Sequence, residues 1–313
     1  MAQEPRTLME AVRYFADPDV ALQHMVELRW GGTVTCPTCG RDDVRFLATR
    51  RLWECKGKHA RKQFSAKVGT IFEDSALPLD KWFVAIWMVA NCKNGISSYE
   101  MGRALGITQK SAWHMNHRIR LAMKLGTIEK LDGHIEADET YVGGKAANRH
   151  KGDPKNGPGT SGKIAVVGAL ERGGRAIAAV IRRTDMPTLD GFVHAVVSPS
   201  ATLVSTDEHG GYKYLSRTYR HSVVRHSAGE YVKGDCHTNS IEGFWALLKR
   251  SIKGTYISVE PFHLGRYVDE QTFRFNHRKG TDGSRFAAAL TGIIGRKLTY
   301  RELTRNGAIA SAA

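Results

Sequence analysis

The chain has 313 residues, 42% hydrophobic and 25% charged, enough for one substantial folded domain with one or two small ones, and too apolar for a disordered polymer. Its 46 lysines and arginines outnumber 31 acidic residues, for a net charge of +15. That surplus favours a polyanion through direct attraction and counterion release, so nucleic acid is the expected partner. The longest apolar run, Trp82 to Ala90, is far short of the roughly 20 residues of a membrane-spanning helix, and Met1 to Arg6 has no basic stretch leading into an apolar one. No membrane partner is expected, and the expected location is the cytoplasm, in association with the nucleoid.

A helical segment is expected over residues 1–30. Cys36-Pro-Thr-Cys39-Gly40 then sets two thiols around a glycine that permits a tight turn, which is the grip that one side of a tetrahedral zinc needs. Cys55 follows a strand-like Leu52-Trp53-Glu54 run and His59 comes shortly after it, completing a three-cysteine, one-histidine set with zinc-ribbon spacing. Cysteines in a cytosolic chain point to metal or free thiols rather than disulfides. Cys92 and Cys236 have no partner at ligand spacing and read as inert thiols.

Lys81 to Asn91 reads as a buried or amphipathic helix. Ser97 and Ser98 are N-cap candidates ahead of Glu100, Met101, Ala104 and Leu105 form a short apolar face, and Gly106-Ile107 supplies a turn into a second helix capped by Thr108. That helix, Gln109 to about Lys124, is expected to turn Trp113, Ile119 and Met123 inward. Gln109, Lys110, His114, His117, Arg118 and Arg120 fall elsewhere on it, as a helix-turn-helix reading DNA would place them.

From about Leu131 the pattern changes to alternating strand and helix. His134 to Val142, Lys163 to Leu170 and Arg175 to Arg183 read as three antiparallel strands, the last two joined through Gly173-Gly174. A helix at Met186 to Val197, a buried strand at Ala201 to Thr206, a further helix, a strand at Ser222 to His226 and a final helix complete the order. Lys145 to Lys163, rich in Gly, Pro and cations, reads as a mobile loop. Asp138 falls on the first strand and Asp207 at the end of the fourth. On the helix from Thr238 to about Lys253, Ile241, Trp245, Leu248 and Ile252 form the buried stripe, with Asn239, Glu242, Ala246 and Lys249 on the adjoining line. Three convergent carboxylates, Asp138, Asp207 and Glu242, suit two Mg²⁺ ions for in-line phosphoryl transfer, and Lys249 suits a neighbouring DNA phosphate.

Glu136-Ala-Asp138-Glu-Thr-Tyr-Val-Gly-Gly144, Ser205-Thr-Asp207, Asn239-Ser-Ile-Glu242-Gly-Phe-Trp245 and Leu248-Lys249-Arg250 followed by Gly254-Thr-Tyr256 resemble the motifs of bacterial insertion-sequence transposases of the DDE class with an N-terminal zinc ribbon. The resemblance runs from about Leu22 to Arg278. It implies an α/β, mixed-sheet, ribonuclease H-like catalytic domain at 131–285, preceded by a zinc ribbon at 31–74 and a helix-turn-helix at 78–127, with a tail at 286–313. It also implies cleavage and strand transfer on double-stranded DNA, at terminal inverted repeats and target DNA, a homo-oligomer when assembled on DNA, and DNA contacts from Lys249, Arg250 and Lys253. The group's third metal ligand is described as an asparagine, so Asn239 and Glu242 both stand as candidates; charge compensation favours Glu242. His237 adjoins this site as a possible helper. Two other readings remain: a zinc-dependent transcription regulator, and a nuclease or resolvase of the same fold that cuts without joining.

Overall fold

The computed structural model describes residues 5–124, 126, 129–143 and 160–304. The predicted loop at Lys145 to Lys163 lies almost entirely outside them. Two compact units are present. The first comprises Met1–Lys124 and Lys279–Ala313, the second Leu125–Arg278. No helix among the described residues is long and apolar enough to cross a membrane.

In the first unit, α1 (Leu8–Phe15) starts on a Thr7 cap, and α2 (Pro18–Trp30) starts on Asp17 with a proline in its first turn and stops at a left-handed Gly31. Three short antiparallel strands follow: β1 (Val44–Leu47), β2 (Leu52–Cys55) and β3 (Gln63–Phe64). Trp53 and Phe64 stack across the β2–β3 pair with centroids 6.1 Å apart. Next come α3 (Leu79–Asn91), α4 (Ser98–Leu105) and α5 (Gln109–Met123). Ser97 and Glu100 form a reciprocal capping box on α4, Gly106 ends it in the left-handed region, and Thr108 caps α5. The expected helix, glycine turn, helix arrangement is therefore present.

Past Arg278 the chain returns to this first unit. There α9 (Asp282–Thr291) packs on α3, with the Phe286 ring centroid 5.2 Å from that of Trp87. A short α10 (Tyr300–Thr304) follows. The segment between them changes the expected role of α5. His117, Arg118 and Arg120 are buried, and the Leu298 carbonyl accepts from Arg118 Nε at 2.9 Å and lies 3.2 Å from His114 Nε2. Lys110 Nζ stands 4.8 Å over the Tyr300 ring. Arg118 and His114, expected to face DNA, are thus engaged by the C-terminal segment, because a buried guanidinium and a partly buried imidazole are satisfied by the unit's own carbonyl at lower cost than being left without a partner.

The second unit is a five-stranded mixed sheet in the order β6-β5-β4-β7-β8, built from β4 (His134–Val142), β5 (Ile164–Glu171), β6 (Ala176–Ile181), β7 (Leu203–Thr206) and β8 (His221–Val223). The first three strands are antiparallel, and β7 and β8 run parallel to β4. One face packs on α6 (Met186–Val196), burying Leu189 and Val193 against Ile135, Ala137 and Val167. The other packs on α7 (Asn239–Ser251) and α8 (Leu264–Asn276), where Ile241, Trp245 and Leu248 bury against Val166 and Leu170. This is the expected ribonuclease H-like α/β architecture. One expected helix is missing: the stretch between β7 and β8 forms two single 3₁₀ turns, Gly210–Tyr212 and Leu215–Arg217. Adjacent glycines raise the cost of a helix there, and burying Tyr212 and Leu215 against α6 holds the shorter turns instead.

Gly168 pairs with Asp138 across β4 and β5, and a Cβ added there would stand 2.7 Å from the Trp245 ring. Gly168→Ala should therefore push Trp245 off the sheet. Overpacking of this kind costs about 1–3 kcal/mol, which a lowered melting temperature of the second unit and a shifted Trp245 environment would report.

Candidate active site

The parallel partner of β4 runs out before β4 does. Pairing with β7 ends at Glu136↔Ser205, and β7 itself ends at Thr206, so Asp207 emerges beside the exposed edge of β4 at Asp138. Asp138, Glu139 and Asp207 each present a carboxylate oxygen within 4.8 Å of the others. Neighbouring strand residues normally point to opposite faces, but at this edge Glu139 reaches the same place. It is anchored from the α6 side by Tyr212, whose hydroxyl donates to Oε2 at 3.0 Å, with His209 Nε2 3.7 Å from Oε1.

Asp138 accepts from Trp245 Nε1 at 3.0 Å and from the Glu139 backbone N–H at 2.8 Å. Burial, reinforced by the charges of Asp207 and Glu139, pushes Asp138 up to about 7. Burial likewise raises Glu139, and Asp207 adds to it, against the pull of His209. Three carboxyl groups crowded in a half-buried edge repel one another, and a hard cation with oxygen ligands relieves that repulsion. The donor set fits Mg²⁺ on those grounds.

These acids line an open pocket of about 430 Å³ together with Thr140, His226, Thr238, Glu242, Trp245 and Lys249. Glu242 reaches the pocket but stands outside the close cluster: its Oε1 accepts from Thr238 Oγ1 at 3.0 Å and lies 3.7 Å from His226 Nε2. Asn239, one turn earlier on α7, is exposed and does not line the pocket. Lys249 does line it; burial lowers its pKa, and Asp138 acts in the opposite sense. Arg250 and Lys253 are exposed on the same helix and the turn that follows it.

What holds α7 over the acids is Glu136, two residues before Asp138 and on the same face of β4. Its side chain is fully buried. It accepts from the backbone N–H of Ser240 at 2.8 Å and of Ile241 at 3.0 Å, from Ser240 Oγ at 3.0 Å and from Arg172 Nε at 2.8 Å. His237 Nδ1 lies 3.2 Å away, near enough for charge attraction though not aligned as a hydrogen bond. Thr238, at the N-cap position of α7, contributes no side-chain cap. A strand carboxyl thus does the capping that the helix's own sequence lacks. Spacing alone marks neither Glu136 nor Glu139 as part of the site; both fall within the Glu136–Gly144 motif, and Glu136 also shares the strand face of Asp138.

The second cluster is in the first unit, where Cys36, Cys39, Cys55 and His59 bring one ligand atom each within 4.8 Å of the others. Cys36 Sγ is 3.5 Å from His59 Nε2, and Cys39 Sγ is 3.6 Å from Cys55 Sγ. Tetrahedral zinc with bonds of about 2.3 Å to sulfur and about 2.0 Å to nitrogen requires edges of roughly 3.5 Å and 3.8 Å, so the set fits a structural zinc. The knuckles supply the usual support: Thr38 N–H donates to Cys36 Sγ at 3.4 Å and Gly57 N–H to Cys55 Sγ at 3.3 Å. His59 Nδ1 lies 2.6 Å from the Ala60 carbonyl, which fixes the tautomer that leaves Nε2 for metal. Against the desolvation that raises it, hydrogen bonds from Thr38, Cys39 and Cys55 bring the Cys36 thiol down to about 6.

Residues 130–276 match the family described as the ISXO2-like transposase domain, and residues 17–59 match the transposase zinc-ribbon domain. A relative from Halobacterium salinarum, described as an uncharacterized protein in transposable element ISH50, is 25% identical over 254 residues, covering 77% of this chain and 85% of the relative.

Two outcomes are expected. Glu136→Ala leaves Arg172 and two helix amides without their acceptor, a loss of about 3–5 kcal/mol for a broken buried pair, and hydrogen exchange should accelerate first in the opening turn of α7. Chelating zinc, or Cys36→Ser, should unfold the β1–β3 ribbon, while circular dichroism and exchange in the second unit stay unchanged.

Proposed function

Because the chain belongs to the insertion-sequence transposases that combine an N-terminal zinc ribbon with an ISXO2-like transposase domain, we propose that it carries out Mg²⁺-dependent strand cleavage and strand transfer at the DNA ends of its element. The observation that carries this reading is the meeting of Asp138, Glu139 and Asp207 at one strand edge, in a pocket that also holds Glu242 and Lys249. Bound there by these carboxylates, two Mg²⁺ ions would activate the nucleophile and stabilise the leaving oxygen.

The chain's own residues supply the rest. Lys249 binds a phosphate oxygen beside the scissile group. Trp245 keeps the Asp138 carboxylate turned into the pocket through its indole N–H. In cleavage a water oxygen forms the new bond to phosphorus as the bond to the 3′ oxygen breaks, and that oxygen leaves as a 3′-hydroxyl while the water's proton is given up; in transfer a DNA 3′-hydroxyl gives up its proton and bonds to a target phosphorus as the target's P–O3′ bond breaks, and the released 3′ oxygen takes up a proton. Glu242 would join these carboxylates as a metal ligand after its side chain rotates away from Thr238, whereas Asn239, exposed in the helix's first turn, would reach a phosphate or water only at the pocket's outer rim. The zinc ribbon and the helix-turn-helix bind the element's ends, with exposed Lys110 and half-buried Gln109 at the start of α5 as contacts; the catalytic unit contributes Arg250 and Lys253.

Asp138→Asn or Asp207→Asn should abolish Mg²⁺-dependent cleavage of duplexes carrying the element's ends while leaving end binding intact. Removing one member of such a unit costs orders of magnitude in rate, since the groups act together. Cleavage at the wild-type rate by either variant would overturn the assignment. Comparing Glu242→Gln with Asn239→Ala in the same assay, at rising Mn²⁺, should place the larger and metal-rescued loss at Glu242.

A further inference from the structure

A second pocket in the catalytic unit, about 250 Å³, is lined by residues that the chemistry above does not use: His134, Arg220, Ser222, Lys233, Asp235 and Cys236 among them. It lies at the opposite end of the same strands. His134 and Leu203 pair at the starts of β4 and β7 and line this pocket, whereas Asp138 and Asp207, four residues later in each case, line the other. At roughly 3.3 Å per strand residue the two stand about 13 Å apart, some four base steps of duplex at about 3.4 Å each.

The floor is the edge strand β8, and the wall is a tight turn in which Lys233 and Cys236 exchange backbone hydrogen bonds at 2.9 and 3.0 Å around a left-handed Gly234. Arg220, Lys233 and Asp235 are all exposed, and none takes part in an ion pair among the described residues. His221 is committed elsewhere, its Nε2 lying 2.9 Å from Thr206 Oγ1, while that hydroxyl donates to the Asp207 carbonyl. The volume is below the roughly 300–1,000 Å³ of a site for a whole small molecule. It suits a single compact group. Two permanent cations against one carboxylate leave a surplus of one positive charge, matched to a singly charged phosphodiester rather than to a doubly charged free phosphate.

We propose that this pocket holds a backbone phosphate of bound DNA a few nucleotides from the scissile one, with Arg220 and Lys233 contacting its oxygens, the Ser222 hydroxyl donating to it and Asp235 limiting the net charge. The inference rests on the reading of the chain as a DNA-cutting enzyme, but uses none of its catalytic residues. Such a contact fixes the register of the duplex on the protein without reading sequence.

The test uses the full-length, zinc-loaded protein and a fluorescently labelled duplex of arbitrary sequence, with affinity measured over a range of salt. Arg220→Ala/Lys233→Ala should weaken binding several-fold and reduce the slope of log affinity against log salt by about 1, the worth of one phosphate contact. Asp235→Asn should act in the opposite direction and tighten binding, a sign change that a merely structural role would not give. Mn²⁺ titration of both variants should match wild type. Asp138→Asn/Asp207→Asn should lose Mn²⁺ yet keep the wild-type salt slope, so failure of the catalytic reading and failure of this one are separable. An unchanged slope in the double variant, or weakening by Asp235→Asn, overturns the proposal. So does binding of inorganic phosphate by the wild type that the double variant loses without any change in duplex affinity. Should the double variant be poorly folded by thermal melting, Lys233→Met alone gives the same readout at an exposed position.

Discussion

A buried carboxyl on a strand, Glu136, holds the helix that completes the candidate active site. It is fully shielded from water and receives two backbone N–H groups at the start of α7, a serine hydroxyl and a guanidinium. Burying such a group is costly unless every lone pair is used, and here the partners come from two separate stretches of chain, Arg172 and the start of α7. The consequence is geometric. With the first turn of α7 fixed to β4, Trp245 lands where its indole N–H meets Asp138, and Glu242 and Lys249 face the pocket. Gly168 completes this arrangement by leaving room for the Trp245 ring on the strand opposite Asp138.

The metal clusters of the two units illustrate different uses of the same principle. In the ribbon, four ligands with sulfur-directed amides and a tautomer fixed by Ala60 form a closed set, which suits a metal that organises folding. At the strand edge, three carboxyls meet in an open pocket and leave space on one side for a substrate's oxygens. Closed coordination stabilises, and open coordination invites a further ligand.

Much of this was legible from the residues. The strand bearing Asp138 runs over the residues its pattern indicated, His134–Val142, and the helical stripe of Ile241, Trp245, Leu248 and Ile252 is buried. Cap and turn residues around α4 and α5 form the devices their identities suggest. What escaped the sequence depended on distant parts of the chain. Arg118 and His114 look like surface cations until Leu298, far along the chain, supplies a carbonyl to them. Glu139 looks as though it points away from Asp138 until β7 stops short and lets it turn around the edge. Glu242 is near the acids in pattern but is held by Thr238 beside them, a distinction of side-chain rotamer that periodicity does not encode.

The return of the chain to the first unit after Arg278 also bears on how such a protein tolerates change. Because α9 packs on α3 and Arg296 donates to the carbonyls that end α5, the final stretch is structural support for the helices upstream. The catalytic unit is therefore an insertion within a host fold, and the entropy of closing so long a loop grows only slowly with its length. Lengthening or shortening the inserted unit is cheap for the host, whereas a premature stop just beyond Arg278 would spare every acid of the pocket and strip α3 and α5 of the partners they pack on.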